Sequence, residues 1–246
     1  MSLDEKAKAW VRDYSNRYPW VGDIIKKYGL DLSQYDLDKE LVISLGHGVL
    51  DRANLIEDIH FLKIFDEHVS GRLPRTFSSV LEVGVGKWTY AFALATFFQH
   101  YNSQVPIVGI DNDSLSVGEA KESVQYRKIK GVEAVLGDIN YWSGKHDVVV
   151  NICSNLTSDE NIYGPGGLTP ARDFFYSIWR TISKGGLFVM GLGYTSASET
   201  AALRVLAPFF KNIVSNRNPY LTDKSTYPIE FLITGKPKLP QELHQS

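Results

Sequence analysis

From residue 77 onward the chain alternates between short apolar runs and amphipathic stretches, which predict strands and helices respectively. The first expected strand begins at Val80, ends in the acidic Glu82 and breaks into a glycine-rich turn. The other expected strands are residues 105–111, 132–136, 146–153, 187–190, 212–216 and 229–234, and the expected helices are residues 89–99, 114–128, 170–182 and 197–209. Such alternation is typical of a doubly wound, mostly parallel sheet. The last two strands are joined by the non-helical segment 217–228, so we expect them to pair antiparallel.

The N-terminal part has a different pattern, in which apolar side chains recur every three or four positions. This spacing runs through Trp10 and Tyr14 and again through Ile59 and Leu62, and it predicts helices. Pro74 marks the end of this pattern, just before the first strand. The expected units are a helical N-terminal cap (1–76), an α/β core (77–236) and a loose tail (237–246).

A glycine-rich turn follows the first expected strand. Residues 80–88 read V-L-E-V-G-V-G-K-W, and a helical stretch comes directly after them. Gly84 and Gly86 allow positive φ and a close approach of a ligand to the backbone. The free N–H groups at the start of a helix favour a nucleotide-like ligand. Asp111 ends the second strand, where its carboxylate can accept hydrogen bonds from both hydroxyls of a ribose.

The series of motifs resembles the class I S-adenosylmethionine (SAM)-dependent methyltransferases. The matching stretches are Glu82-Val-Gly84-Val-Gly86, Gly109-Ile-Asp111, Gly137-Asp138, Asp147-Val-Val-Val-Asn151 and Lys184-Gly-Gly186-Leu-Phe-Val. Each motif alone is unspecific, and their order and spacing carry the resemblance. It implies a seven-stranded, mostly parallel sheet with an antiparallel last strand. It also implies that SAM is the cofactor and S-adenosylhomocysteine the product.

The resemblance implies five cofactor-binding residues, which are Glu82, Gly84, Gly86, Asp111 and Asp138. In this family the acid at the place of Glu82 helps to hold the turn and reaches, often through water, the amino group of the methionine part. Asp111 would bind the ribose, and Asp138 would accept a hydrogen bond from the exocyclic amine of adenine. Ile139 and Asn112 would flank the adenine.

Structural explanations compete with these roles. Asp111 can act as the N-cap of the next helix, although Asp113 and Ser114 lie closer to the start of that helix. Trp88 occupies the third glycine place of the family's turn, and Thr89 stands where a dinucleotide-binding turn has its third glycine. The Trp88 indole either packs against the helical cap or places its face near the sulfonium in a cation–π contact.

Two residues are candidates for a catalytic role. Asn151 ends the fourth strand, at the edge where a parallel sheet presents functional groups. His47 lies between two glycines and is a candidate general base for a hydroxyl acceptor. The stretch from Asn151 to Ser154 lacks the Asn/Asp-Pro-Pro-Tyr motif of family members that methylate amino groups of DNA or amides of proteins. The glycine-rich segment Tyr163–Gly167 is expected to border the acceptor pocket.

Composition narrows the expected partners. The chain has 246 residues and a formal net charge of −2, which gives no bulk attraction to nucleic acid phosphates. No apolar run reaches the roughly 20 residues of a membrane span, and the single Cys153 excludes a disulfide within the chain. We expect a cytoplasmic enzyme with a small-molecule acceptor, without a metal and without nucleic acid or membrane partners. The pattern indicates neither the acceptor itself nor the oligomeric state.

Two other functions remain open at the level of the sequence. A nicotinamide-dependent oxidoreductase would use a similar turn and Asp111. The missing third glycine, the Gly137-Asp138 turn and the antiparallel last strand count against it. The other alternative is a SAM-binding protein without methyl transfer, or a transferase of the aminopropyl group, and the unusual Trp88 keeps it open.

Overall fold

The computed structural model describes residues 3–35, 55–152, 168–192, 202–217 and 231–245. Its helices are α1 (Leu3–Arg17), α2 (Val21–Tyr28), α3 (Leu55–His68), α4 (Ala91–Tyr101), α5 (Ser114–Tyr126) and α6 (Leu168–Thr181). Its strands are β1 (Val80–Val83), β2 (Ile107–Asp111), β3 (Val132–Leu136), β4 (His146–Ile152), β5 (Ile182–Leu192), β6 (Phe210–Arg217) and β7 (Phe231–Pro237). A short helical stretch at 202–206 precedes β6.

The strands of the described chain form one seven-stranded sheet in the order β3-β2-β1-β4-β5-β7-β6. The first five strands pair parallel to one another, and β7 is antiparallel to both of its neighbours, β5 and β6. The predicted mostly parallel sheet with an antiparallel last strand is therefore confirmed. Because β1 to β5 are parallel, their carboxyl ends all meet at the same edge of the sheet.

The fifth strand starts earlier than the sequence indicated. β5 begins at Ile182 rather than Leu187, because Ile182 already pairs with His146 of β4. A Cβ on Gly186 would lie 2.6 Å from the Asp147 carbonyl oxygen, so a side chain does not fit there. The glycines that looked like a turn before the strand thus belong to the strand and allow its close approach to β4.

The C-terminal segment is folded, which corrects the expected loose tail over residues 237–245. β7 continues to Pro237, and a 3-10 helix, Pro240–Gln245, follows it. The Trp179 indole N–H donates to the Lys238 carbonyl at 2.9 Å. The Lys238 N–H in turn donates to the Phe209 carbonyl at 2.8 Å. These bonds fasten the segment to α6 and to the residue that precedes β6.

Each face of the sheet carries its own hydrophobic core. On one face, Val80 and Val150 belong to a cluster that includes buried side chains of α2, α3, α4 and α5. On the other face, Leu81 and Val83 belong to a cluster with α6 and residues 202–210. The helices α2 and α3 of the N-terminal part therefore share a core with the sheet.

A buried ion pair joins the N-terminal part to the end of α5. Asp58 on α3 and Arg127 lie 2.6 Å apart, Oδ2 to Nη2, and their side chains are 2% and 3% exposed. The Tyr35 hydroxyl donates to the same carboxylate oxygen at 2.8 Å. The Arg127 guanidinium also lies over the Phe92 ring of α4, 4.0 Å from its centroid. Removing either charge would leave the other buried without its partner, which is costly.

The connection from β3 to β4 is unusually short. It spans residues 137–145 and contains a 3-10 turn, Ile139–Tyr141, where parallel strands usually have a helical crossover. Helix α6 covers this connection. Ser177 Oγ donates to Asn140 Oδ1 at 2.9 Å, and Arg180 Nη2 donates to the Asn140 carbonyl at 2.7 Å. The short crossover thus brings α6 against the residues that follow β3.

Candidate cofactor-binding cleft

β1 ends in a tight turn that leads to α4. Gly84 has a φ of 74° and Gly86 a φ of 52°, in the left-handed region that favours glycine. The Gly84 N–H donates to the Ile110 carbonyl at 2.8 Å, which ties the turn to β2. Helix α4 begins at Ala91, later than the predicted start at Thr89, because turns at 86–87 and 89–90 come first.

Asp111 lies beside this turn, at the end of β2. Its Oδ2 accepts a hydrogen bond from the Gly86 N–H at 3.0 Å, and its Oδ1 accepts one from the Asp113 N–H at 2.9 Å. Asp113 caps α5 by accepting from the Ser116 N–H at 2.9 Å, as the sequence predicted. Asp111 therefore has no capping role, and its carboxylate links the two loops that follow β1 and β2.

Asp138 holds the third loop, after β3. Its Oδ1 accepts a hydrogen bond from the Asn140 N–H at 2.8 Å and caps the 3-10 turn. Gly137 donates its N–H to the Asp111 carbonyl at 2.9 Å, which keeps this loop next to β2. The loops after β1 and β3 are thus both tied by backbone hydrogen bonds to the end of β2, and the Asp111 carboxylate links the loops after β1 and β2.

These loops enclose a cleft of about 550 Å³ at the carboxyl ends of the strands. Its lining residues are Val83, Gly84, Gly86, Ile110, Asp111, Asn112, Asp113, Ser116, Gly137, Asp138, Ile139, Asn140 and Phe174. Four of the five residues expected to bind the cofactor, all except Glu82, lie in this lining, together with Asn112 and Ile139. The volume lies in the usual range for small-molecule sites, which is roughly 300–1,000 Å³.

Glu82 lies beneath the turn and is fully buried, with none of its surface exposed. Its Oε2 accepts a hydrogen bond from Trp88 Nε1 at 2.6 Å, and its Oε1 accepts one from the Tyr90 hydroxyl at 2.5 Å. Burial raises the pKa of Glu82 to about 8, although the hydrogen bonds from Tyr90 and Trp88 oppose the rise. Glu82 is therefore engaged with the turn, and it does not line the cleft.

Trp88 is buried as well, with 1% of its surface exposed. Its φ of 49° places a non-glycine residue in the left-handed region, which costs about 1–3 kcal/mol. Its ring lies against Gly109 of β2, where a Cβ would be 2.5 Å from Trp88 Cη2. The indole thus faces the core shared with α3 and not the cleft. The cation–π interpretation of Trp88 does not agree with this position, and the packing interpretation does.

Comparison with protein-family models and with curated proteins gives no match. Among solved structures, a SAM-dependent O-methyltransferase from Thermotoga maritima has a TM-score of 0.52 at 13% identity, over 80% of this chain and 69% of its own. The CurJ carbon methyltransferase has a TM-score of 0.52 at 12% identity, over 93% and 70% of the two chains. The chain has the class I SAM-dependent methyltransferase fold. The PH0226 protein of Pyrococcus horikoshii OT3 also matches, with a TM-score of 0.53 at 14% identity, over 77% and 93%.

Within this methyltransferase fold, Asn151 is fully buried near the end of β4. Its Nδ2 donates to the Val83 carbonyl at 2.7 Å, which fixes the end of β1. Asn151 is not among the residues that line the cleft. His47 and the segment Tyr163–Gly167 lie outside the described residues.

His60 on α3 is enclosed by aromatic side chains from α1 and the corner before α2. The Tyr14 hydroxyl lies 3.3 Å from His60 Nε2. The rings of Tyr18 and Trp20 meet the imidazole edge-on, at centroid distances of 5.6 and 5.1 Å. Burial lowers the pKa of His60 to about 4. This geometry makes His60 a packing residue of the N-terminal part.

Four residues of the cleft were not predicted from the sequence, namely Asp113 and Ser116 at the start of α5, Asn140 in the 3-10 turn and Phe174 on α6. Asp113 was identified only as a cap, and its nearness to Asp111 could have indicated a second role. Nothing in the sequence indicated that Phe174 would line the cleft, because only the short β3–β4 crossover brings α6 to the loop after β3. Its side chain is 4% exposed.

No group of three or more His, Cys, Asp or Glu side chains in the described part of the chain could hold a metal ion. Within the same residues, no helix has both the length and the apolar character needed to cross a membrane.

Proposed function

We propose that the protein is a SAM-dependent methyltransferase whose cofactor binds in the cleft at the ends of β1, β2 and β3. The observation that carries this proposal is the joint position of Gly86, Asp111 and Asp138 on one cleft in a methyltransferase fold. A strand-end carboxylate beside a glycine turn suits a ribose, and a second carboxylate one strand away suits the amine of adenine.

The residues present fit such a cofactor. A carboxylate has about four acceptor sites, and the Asp111 carboxylate uses two of them for the N–H groups of Gly86 and Asp113. The remaining sites suit two ribose hydroxyls. Gly86 has open space where a side chain would begin, so a ligand can approach its backbone closely. Ile139 and Phe174 supply apolar walls for a flat base.

The sheet argues against the nicotinamide-dependent alternative. A dinucleotide-binding sheet has its sixth strand next to the fifth, in the order 3-2-1-4-5-6. In this chain β7 lies between β5 and β6 and runs antiparallel to both. The turn also has Thr89 in place of the third glycine of the dinucleotide pattern.

SAM supplies a methyl group already activated on a sulfonium. The chain therefore has to hold the cofactor, align an acceptor with the methyl group and exclude water. We propose a small-molecule acceptor, supported by the net charge of −2, which gives no bulk attraction to nucleic acid phosphates. In this proposal Asn151 holds the end of β1 through the Val83 carbonyl, and His47 is the candidate base for a hydroxyl acceptor.

The test is a comparison of S-adenosylhomocysteine, SAM, NAD and NADP by calorimetry and thermal unfolding. A ligand at a hundredfold excess over its Kd adds about 2.7 kcal/mol to the stability of the folded state. We expect this gain with S-adenosylhomocysteine and SAM and none with NAD or NADP. A gain with NAD alone would favour the oxidoreductase instead. Mass spectrometry after turnover separates the two transfers: methyl transfer from SAM leaves S-adenosylhomocysteine, whereas aminopropyl transfer, with decarboxylated SAM supplied as the donor, leaves methylthioadenosine.

A substitution of Asp111 tests the assignment of the cleft. Asp111→Asn should weaken S-adenosylhomocysteine binding about tenfold or more, because charged hydrogen bonds are each worth roughly 1.5–3 kcal/mol. Asp31→Asn is the matched control. Asp31 also accepts from a backbone N–H and caps a 3-10 helix, but it does not line the cleft. Equal affinities of the Asp111 variant and the wild type would show that the Asp111 carboxylate is only structural.

A further inference from the structure

The buried carboxylate under the turn has no contact with the cleft. Glu82 has no exposed surface and does not belong to the cleft lining, although it lies only two residues before Gly84. Each of its oxygens already accepts a hydrogen bond, one from Trp88 and one from Tyr90. Both donors come from the segment between the glycine turn and α4. The Glu82 side chain thus contacts the segment that follows the glycine turn and does not extend into the cleft.

We infer that Glu82 is a positioning residue, which sets the glycine turn through Trp88 and Tyr90 and makes no charged contact with the methionine part of the cofactor. This inference rests on the proposed function, because the turn matters for the cofactor only if the cleft binds SAM. Trp88, which occupies the place of the family's third glycine, then holds the turn in position.

The contacts of Trp88 show how the turn is held. Its indole is fixed at one side by Glu82 and at the other by the recess over Gly109. Its backbone is part of the turn, since the Trp88 N–H donates to the Val85 carbonyl at 2.9 Å. The Trp88 carbonyl accepts from the Ala91 N–H at 3.1 Å, at the start of α4. A shift of the indole would therefore move the turn and the start of the helix together.

Tyr90 extends this support to α3. Its ring stacks on Phe61 with a centroid distance of 5.4 Å and an interplanar angle of 16°. Its hydroxyl donates to the second oxygen of Glu82. Phe61 is fully buried in the core that α3 shares with the sheet. Glu82 is thus the point at which β1, the glycine turn and α3 are joined.

The network can persist whether Glu82 is charged or neutral. An indole N–H can only donate, so Oε2 has to be an acceptor in both states. A tyrosine hydroxyl both donates and accepts, so a protonated Oε1 can donate to Tyr90 in return. A glutamine amide likewise offers one acceptor oxygen, for the Trp88 indole, and a donor group, for the Tyr90 hydroxyl. Glu82→Gln should therefore keep the turn in place, and a leucine should not.

The experiment measures S-adenosylhomocysteine and methylthioadenosine, which lacks the amino acid part, against a series of variants. Glu82→Gln should retain most of the affinity for both ligands. Trp88→Phe removes one of the two hydrogen bonds of Glu82 and should weaken both ligands about threefold to tenfold, as expected for a hydrogen bond of 0.5–1.5 kcal/mol. Glu82→Leu removes both bonds and should weaken both ligands at least as much. The double variant Glu82→Leu/Trp88→Phe should lose little more than Glu82→Leu alone, because Glu82→Leu has already removed the bond to Trp88.

A direct contact between Glu82 and the cofactor gives a different result. Glu82→Gln would then lose affinity for S-adenosylhomocysteine and keep it for methylthioadenosine, and this outcome would overturn the inference. If the wild type bound neither ligand, the proposed function itself would fail and the inference with it. The two failures are therefore distinguishable in the same data.

A pair of tyrosine variants separates positioning from general stability. Tyr90→Phe removes a hydroxyl that donates to Glu82, and Tyr28→Phe removes one that donates to Asp66 at 2.9 Å. Both hydroxyls are partly buried, and Tyr28 contacts α4 near its far end, at His100. Only Tyr90→Phe should weaken the two ligands. An equal effect of both variants, or no effect of Tyr90→Phe, would contradict the inference. These variants also keep it testable if Glu82→Leu fails to fold.

Discussion

At the scale of single residues, Trp88 and Gly109 form a complementary pair. The distal atoms of the indole occupy the space that a side chain at position 109 would need, with Cη2, Cζ3 and Cζ2 at 2.5–2.8 Å from the place of a Cβ. Trp88 cannot move away easily, because its Nε1 is bonded to Glu82 and its surface is buried. The tolerance of each position therefore depends on the residue at the other.

We predict that Gly109→Ala lowers the free energy of unfolding by about 1–3 kcal/mol, the usual cost of overpacking a core. In a Trp88→Phe background the same change should cost less than half as much, because the shorter ring vacates the contact. Urea unfolding of the four proteins measures this coupling. Gly118→Ala on α5 is the control, since a Cβ there meets open space. It should stabilise the protein by roughly 0.5–1 kcal/mol.

Glu82 gives the protein a distinctive dependence of stability on pH. Its pKa is raised to about 8 in the folded state by burial, from a usual value of 4.5. Between these values the folded state binds more protons than the unfolded state, so stability falls as pH rises. The buried histidines act in the opposite direction. Because burial lowers the pKa of His60 to about 4, its effect is confined to pH values below about 6.5.

The window from pH 6.5 to 8 therefore isolates Glu82 from the histidines. We predict that the free energy of unfolding decreases across it by up to about 1.4 kcal/mol per pH unit. In Glu82→Gln the decrease should be smaller by the contribution of Glu82, and any remainder belongs to Asp58, whose pKa burial also raises. Unfolding in urea at half-unit pH steps measures both proteins. A wild-type curve as flat as that of the variant would mean that Glu82 is ionised in the folded state throughout the window.

The sequence was informative for residues whose position follows from a strand end. Gly84, Gly86, Asp111 and Asp138 lie where parallel strands deliver them, and all four line the cleft. The opposite case is Trp88, whose orientation depends on its contact with Gly109, on another strand. Two residues that are distant in the sequence determine that contact, so no local pattern could reveal it.

At the scale of helices and strands, the attachment of α3 is the main feature that periodicity alone did not predict. The helical spacing of residues 55–65 indicated a helix but not the face on which it packs. In the structure, Phe65 of α3 meets Phe97 of α4 in an edge-to-face contact at 5.2 Å. The ion pair between Asp58 and Arg127 secures the same helix to the end of α5.

We predict that Arg127→Met lowers the free energy of unfolding by about 3–5 kcal/mol, because Asp58 then stays buried without its partner charge. Adding Asp58→Asn should recover part of the loss, since the amide still accepts from Tyr35 and carries no charge. Lys87→Met serves as the control for loss of a surface pair. Lys87 lies 3.4 Å from Glu119 and is 73% exposed, so its removal should have little effect. Similar losses for Lys87→Met and Arg127→Met would contradict the prediction.

The position of α6 is a second feature that periodicity did not predict, and it depends on the crossover after β3. The strands on either side of it were predicted closely, with β3 at Val132–Leu136. The short connection lets α6 bond to Asn140 through Ser177 and Arg180, and Phe174 consequently becomes a wall of the cleft. The amphipathic pattern predicted that α6 exists. Which residues α6 packs against depends instead on the length of the connection between β3 and β4.

At the scale of the whole molecule, the order of the elements determined most of the architecture. Alternating strands and helices predict a parallel sheet, and a non-helical link between the last two strands predicts the antiparallel pair. Both expectations are confirmed. The division of the chain at residue 76 into a helical cap and an α/β core stays a prediction. The hydrophobic cluster that α2 and α3 share with the sheet crosses this boundary.

The final prediction concerns that division. Six apolar residues of α3 are at most 1% exposed, namely Leu55, Ile59, Phe61, Leu62, Ile64 and Phe65. A chain that begins at Phe77 would lose them and expose the faces of α4 that they cover, so we predict that it does not unfold cooperatively. Near-ultraviolet circular dichroism and urea unfolding measure this. A chain that begins at residue 54 keeps α3, and it should unfold cooperatively at lower stability because Tyr35 no longer bonds to Asp58. Cooperative unfolding of the shorter chain, together with binding of S-adenosylhomocysteine, would instead show that residues 1–76 are a separable cap.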